Sequence, residues 1–192
     1  GKIVVVHNGI IENHIQIKQE LENSGHIFAS ETDTEVIAHL IEKYYKNDLL
    51  KAVKSALKEL KGAYALSVIC SDDDSRIIAV RKDAPLVIGV GKNENFTASD
   101  VSALLSYARD VIFLENEDIA EIKKDSVKIF NKDGKEVKRK IQKILWDAVQ
   151  AEKGGYEHFM LKEIYEQAQT VQDTFRARIS VEENKIMLET AN

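Results

Sequence analysis

The stretch VVVHNGIIEN, residues 4–13, places Asn8-Gly9 directly after a strongly apolar run. Asn-Gly between two strands is the strongest short signal of a tight hairpin. Yet the next segment does not read as a returning strand. It reads as a helix start, with Asn13 in the cap position and Gln16 three residues later. Lys2 to Val6 is nearly continuous in apolar residues, the pattern of a strand covered on both faces. An amide side chain and a glycine therefore sit where a buried strand is expected to end, and a turn is their default explanation.

Outward from this point, Ile17 and Leu21 recur at helical spacing and Gly25 suits a helix C-terminus. His26 to Ser30 reads as a short strand. Thr32-x-x-Glu35 forms a capping box ahead of Val36, Ile37, Leu40, Ile41 and Tyr44, an amphipathic helix. A third helix from Leu49 carries Val53, Ala56, Leu57 and Leu60 on one face. The texture changes at Gly62, where GAYALSVIC alternates small and larger residues, so that one strand face admits close packing. RIIAV, LVIGVG, FTAS and VIFL read as further strands, with a brief helix over Val101 to Ala108. VKIFNKDGKEV reads as a hairpin turning at Asp133-Gly134. Strands cluster instead of alternating with helices, which favours an α+β fold over a doubly wound parallel sheet. After Val137 the pattern loosens; KGGY at 153–156 reads as a joint, and a long helix is expected from about His158 towards Arg178.

The chain has 192 residues, 44% hydrophobic and 31% charged, the balance of a globular domain. No apolar run is long enough to span a bilayer, and no signal-peptide pattern is present. The net charge of -5 comes with no basic stripe, which argues against a nucleic-acid partner. Cys70 is the single cysteine, so an internal disulfide is excluded and a reducing cytoplasm fits. The opening Gly1-Lys2-Ile3 already reads as strand without an initiator methionine, and the expectation is a fragment.

The chemistry-bearing residues mostly favour plain readings. No two of His7, His14, His26, His39 and His158 have ligand spacing on one helix face, so no metal site is expected and all five read as satisfied or exposed. Cys70 ends an apolar strand and reads as a small buried hydrophobe. GVGKNEN lacks the spacing of a phosphate loop, and Asp72 to Asp74 lacks the further ligands of a calcium loop. In SETDTE, helix capping and dipole complementarity alone account for Asp33.

A resemblance spanning nearly the whole chain changes this balance. VVVHNGIIEN, SETDTEVIAHLI, GAYAL, PLVIGVG, ENFTASD, FLENEDIAEI and MLKEIYEQ, in this order, resemble the glutamine–fructose-6-phosphate aminotransferase family. Related class II amidotransferases share the Asn-Gly strand end but differ at SETDTE and lack the KEIYEQ tail. The resemblance implies a four-layer α-β-β-α sandwich of the N-terminal-nucleophile hydrolase type, incomplete at its N-terminus. Residues 1–145 would be the later part of a glutaminase domain. Residues 146–192 would be an interdomain linker and the first helix of a sugar-isomerase domain.

The implied activity is release of ammonia from glutamine and its delivery to fructose 6-phosphate, bound by that isomerase domain, to make glucosamine 6-phosphate. No cofactor is implied; the full-length protein would be a cytoplasmic homo-oligomer. By the same resemblance, the Asn8 side-chain amide and the Gly9 backbone N–H would form the oxyanion hole, and Asp33 would bind the glutamine α-ammonium. Two preorganised neutral donors suit the oxygen that gains charge when a thiolate attacks a carboxamide. The family's nucleophile is an N-terminal cysteine whose own amine acts as base. Gly1 stands first here and Cys70 does not match that position, so these 192 residues alone are expected to be inactive. Ala168 also replaces the proline usual after EIYEQ. The alternatives are a non-catalytic binding or structural fragment, or a different class II amidotransferase.

Overall fold

The computed structural model describes residues 1–145, 156, 158–175, 179–180 and 185–186. The opening run forms one strand, β1 (Ile3–Ile11), which passes straight through Asn8-Gly9. It pairs antiparallel with β2 (Gly62–Cys70), with Asn8 opposite Ala65 and Gly9 opposite Tyr64. No hairpin forms at Asn8-Gly9, and the reason is steric. Gly9 has φ +131°, and a Cβ there would lie 2.1 Å from the Ala63 carbonyl oxygen and 2.8 Å from Tyr64 Cα. Glycine thus allows two backbones to approach within a strand pair instead of turning one of them.

Three helices separate these strands: α1 (His14–Asn23), α2 (Asp33–Tyr44) and α3 (Leu49–Ala56). The chain continues through β3 (Asp73–Lys82), β4 (Val87–Val90) and β5 (Asn95–Ala98). A 3-10 turn over Val101–Leu104 leads to β6 (Asp110–Phe113), β7 (Ile119–Lys123), β8 (Val127–Phe130), β9 (Glu136–Val137) and β10 (Ile141–Lys143). One six-stranded sheet has the order β1-β2-β3-β7-β8-β9, and a four-stranded sheet has the order β10-β6-β4-β5. Every ladder within them is antiparallel.

Two cores arise from the alternation of side chains. Ile17, Leu21, Ile37, Leu40, Leu49 and Val53 of the helices close over Leu66, Val68, Ile78 and Val80 of the larger sheet. Burying each such side chain contributes about 1.5–3 kcal/mol. On the other face, Ala65, Ala79 and Ala120 admit Ile88 and Ile112 from the smaller sheet and Leu114 just beyond β6. The outer face of that smaller sheet is covered around Gly89 by Leu104 and Ala108, where a Cβ would lie 3.3 and 3.2 Å from their side chains. Helices, larger sheet and smaller sheet are three layers of the expected four. The fourth is represented, among the described residues, by the 3-10 turn and the segment after it.

Several local expectations change. Among the described residues β1 lies at the edge of its sheet and is covered on one face only: Ile3 and Ile11 are buried, while Val6 is 69% exposed and Ile10 68%. Asn13 makes no side-chain cap of α1. Its amide instead donates to the Glu59 carbonyl (2.8 Å) and accepts from the Lys61 N–H (2.9 Å), tying the helix start to the approach to β2. His26 to Ser30 is not a strand, because the Ala29 and Ser30 N–H groups donate to the Glu35 carboxylate at 2.7 and 2.6 Å instead of to a neighbouring strand. The segment expected as a helix over Val101 to Ala108 is helical only as the 3-10 turn. β7 and β10 carry no strong strand signal in the sequence.

The chain divides into two units, Gly1–Leu145 and Trp146–Asn192. In the second, α4 (Phe159–Phe175) begins close to the expected His158, and β11 (Ile179–Ser180) pairs with β12 (Lys185–Ile186). Arg178 and residues 153–155 of the expected joint lie outside the described residues. Among the described residues no helix is long and apolar enough to cross a membrane.

Candidate active site

Asp33 is the first residue of α2, but it is not the cap. Thr32, in extended conformation, occupies that position and accepts the Glu35 N–H at 3.4 Å. The reciprocal half of the expected capping box does not form. Glu35 reaches instead to Ala29 and Ser30. The Ala29 N–H, with the Ser30 hydroxyl and N–H, holds the Glu35 carboxyl down to about 2. With capping supplied by Thr32, the Asp33 carboxylate turns to β1, where its Oδ2 accepts the Ile11 N–H at 2.9 Å. Ile11 is therefore a position where the backbone N–H faces the free edge of the strand, and Gly9, two residues away, is in the same phase.

His7 completes this corner. Its side chain is 2% exposed; Nδ1 lies 3.0 Å from Thr34 Oγ1 and 3.7 Å from Asp33 Oδ1. Burial pushes its pKa below the ordinary histidine value, and the nearby Asp33 carboxylate opposes that push only in part. Nε2 is buried with no hydrogen-bond partner among the described residues. A proton on Nδ1, donated to Thr34, leaves only a lone pair buried at Nε2, so the neutral Nδ1–H tautomer fits. His7 is thus neither exposed nor fully satisfied, contrary to the sequence expectation. It supports Thr34 and the start of α2 from below. Its phase on β1, shared with Ile3 and Ile11, is the signal that marks it as buried.

Asn8 projects to the opposite face. It is exposed and borders a recess of about 190 Å³ together with Val6, Ser67, Leu86, Thr97 and Ser99. Ser67 and Thr97, both lining this recess, share a hydrogen bond of 2.9 Å across the two sheets. Gly9 lies roughly 7 Å from Ile11 along the strand, so the Asn8-Gly9 donors and Asp33 are separated by about the span of an extended amino acid. The arrangement offers neutral donors at one end and a carboxylate, 23% exposed, at the other.

The structure places Cys70 elsewhere. It is buried and pairs with Ile3, five residues along β1 from Asn8 and hence roughly 16 Å away. The histidines, by contrast, do not all stay apart: His26 and His39 approach to 3.1 Å between their Nδ1 atoms, beside Glu42.

The first 106 residues match a family model described as a glutamine amidotransferase domain. The chain belongs to that family, and its fold is an α+β sandwich of the N-terminal-nucleophile hydrolase type. It is 51% identical over 179 residues to the glutamine–fructose-6-phosphate aminotransferase (isomerizing) of Clostridium tetani, covering 93% of this chain and 29% of that relative. The protein of the same name from Caldanaerobacter subterraneus is 48% identical over 192 residues, covering 100% of this chain and 31% of the relative. The chain thus spans under a third of the length of these relatives. Among solved structures, the glutamine phosphoribosylpyrophosphate amidotransferase from B. subtilis, complexed with ADP and GMP, is similar with TM-score 0.54 and 30% identity, covering 76% of this chain and 30% of that one.

Proposed function

We propose that these residues form the later part of the glutaminase domain of an amidotransferase that makes glucosamine 6-phosphate from fructose 6-phosphate. Glutamine binds with its carboxamide at Asn8-Gly9 and its α-ammonium at Asp33. The Asn8 Nδ2–H and the Gly9 N–H stabilise the oxyanion that forms as a thiolate adds to the carboxamide carbon. That intermediate then breaks its C–N bond, the nitrogen taking up the proton given up by the thiol and leaving as ammonia, which passes to the sugar. Water hydrolyses the remaining thioester to glutamate. Residues 146–192 are the connection to the isomerase domain that holds fructose 6-phosphate. The whole protein works in the cytoplasm as a homo-oligomer and uses no cofactor.

The observation that carries this reading is the uninterrupted passage of β1 through Asn8-Gly9 while Asp33, relieved of capping by Thr32, anchors the same strand at Ile11. Positive φ at Gly9 costs free energy in most residues and persists where the surroundings over-determine it. The 192 residues alone turn over no glutamine, because Cys70 is buried and roughly 16 Å from Asn8.

The test is an isotope transfer. Full-length protein is incubated with amide-labelled glutamine and fructose 6-phosphate, and the label is followed by mass spectrometry. Label in glucosamine 6-phosphate, and none released by the 192-residue chain, is the expected result. Label only in free ammonia, or in another acceptor, would refute the assignment of the sugar.

A further inference from the structure

We propose that His26, His39 and Glu42 form a binding site for one divalent transition-metal ion of the zinc class. The site stands apart from Asn8, Gly9 and Asp33 and does not depend on their roles. His39 lies six residues beyond Asp33, about 9 Å along α2.

The three side chains come from two elements whose positions are fixed by backbone bonds. α1 ends in a closed terminus: the Gly25 N–H donates to the Glu22 carbonyl and the His26 N–H to the Leu21 carbonyl, each at 3.0 Å. This pair of bonds sets where His26 stands. His39 and Glu42 are three residues apart on α2 and share one face. One ligand atom from each of the three residues lies within 4.8 Å of the others.

Two of the three separations are close to those imposed by a common ion. Two ligands at about 2.0–2.1 Å from a tetrahedral ion are held roughly 3.4 Å apart. His26 Nδ1 and His39 Nδ1 are separated by 3.1 Å, and His39 Nδ1 and Glu42 Oε2 by 3.6 Å. The two imidazole rings meet edge to face, at 85°, so neither ring stacks over the other's ligating edge.

A second feature points the same way. His39 Nε2, the nitrogen away from the cluster, lies 3.6 Å from Glu35 Oε1. That carboxylate is itself fixed by the Ala29 and Ser30 N–H groups. A carboxylate behind a histidine favours the tautomer whose far nitrogen keeps its lone pair for a metal. The Phe28 ring packs on His39 with centroids 4.4 Å apart, walling one side of the cluster. Two neutral imidazoles and the Glu42 carboxylate carry one negative charge, with Glu35 adding a second behind them. Two nitrogens and one oxygen suit zinc, cobalt or nickel, not magnesium or calcium. Glu42 is 38% exposed, so a water molecule can complete the coordination. Such an ion would tie the end of α1 to the middle of α2.

The competing account is a simple hydrogen bond between the two imidazoles, with Glu42 a bystander, and titration separates the two. The metal-stripped 192-residue protein is titrated with Co2+ and followed by visible absorption, then with Zn2+ in competition. One equivalent is expected, with the strong d–d band of low-coordinate cobalt, loss of that band on adding zinc, and a higher melting temperature with zinc. Magnesium should produce none of these effects. Glu42→Gln, a change of one charge at a partly exposed position, should weaken binding by at least about tenfold. His26→Ala with His39→Ala should abolish the band, whereas His158→Gln should leave it unchanged. No band and no one-equivalent uptake in the unaltered protein would overturn the site. So would a band that survives the double histidine substitution.

Discussion

Replacing Asp33 by Asn removes one charge and keeps the shape of the side chain, and its two effects can be worked out separately. The substituted amide oxygen can still accept the Ile11 N–H that Asp33 Oδ2 accepts at 2.9 Å. What is lost for stability is the charge assistance of that bond, about 1 kcal/mol, and a negative charge at a helix N-terminus, about 0.3–1 kcal/mol. Thr32, not Asp33, supplies the cap, so no capping loss is added. The sum of about 1–2 kcal/mol corresponds to a melting temperature roughly 3–8 °C lower for a unit of this size. On the proposed pairing of Asp33 with the glutamine α-ammonium, that ammonium carries the same charge in the ground state and the transition state, so loss of the carboxylate should raise KM and leave kcat nearly unchanged. The carboxylate is 23% exposed, between a solvated and a buried pair, which places the loss at about 1–2 kcal/mol. That is a KM raised roughly 5- to 30-fold. The assay is steady-state glutamate release by the full-length protein, with melting measured on the same samples. A KM within about twofold of the unaltered protein, whatever the melting temperature does, would remove Asp33 from the substrate site.

Gly9→Ala combines strain at positive φ with a Cβ 2.1 Å from the Ala63 carbonyl oxygen; denaturant unfolding should show a loss of about 2–6 kcal/mol, and a loss under about 1 kcal/mol would contradict the close strand approach. Arg139 makes two 2.8 Å contacts with Asp118, which is buried; Arg139→Ala strands that carboxylate and should cost about 3 kcal/mol, read by the same unfolding assay. The pKa of His7 is lowered from 6.5 by burial, so the native state binds fewer protons than the unfolded chain as pH falls below that value. Its contribution to stability is full above pH ~6.5 and is lost as pH falls through the lower native value. A plot of melting temperature against pH should show this acid limb, and His7→Gln should flatten it.

Where structure is set by neighbours in sequence, it was legible. Thr32 ahead of the apolar face of Val36, Ile37, Leu40 and Ile41 announces α2, and Asp133-Gly134 between two alternating runs announces the hairpin of β8 and β9. The clustering of strands gave the α+β class for the same reason. What depended on distant partners was not legible. Asn8-Gly9 has the local chemistry of a turn, and only the approach of Ala63 and Tyr64, more than fifty residues on, converts it to a strand crossing. Glu35 reads as half of a capping box, yet it is drawn away by the N–H groups of Ala29 and Ser30. A substrate role for Asp33 follows only from family resemblance, since spacing alone explains it as a helix-terminal acid. The support of that corner by His7 and Thr34, and the meeting of His26 with His39, require tertiary contacts that no motif records.

The oxyanion role of Asn8 is the central claim, and kcat of the full-length protein with Asn8→Ala tests it most directly. The side chain is exposed, so its removal should leave stability within about 0.5 kcal/mol of the unaltered protein. Loss of one preorganised donor should lower kcat for glutamate release by about 10²–10³, with KM little changed. A kcat within about threefold of the unaltered protein, in a variant with an unchanged melting temperature, would contradict the assignment.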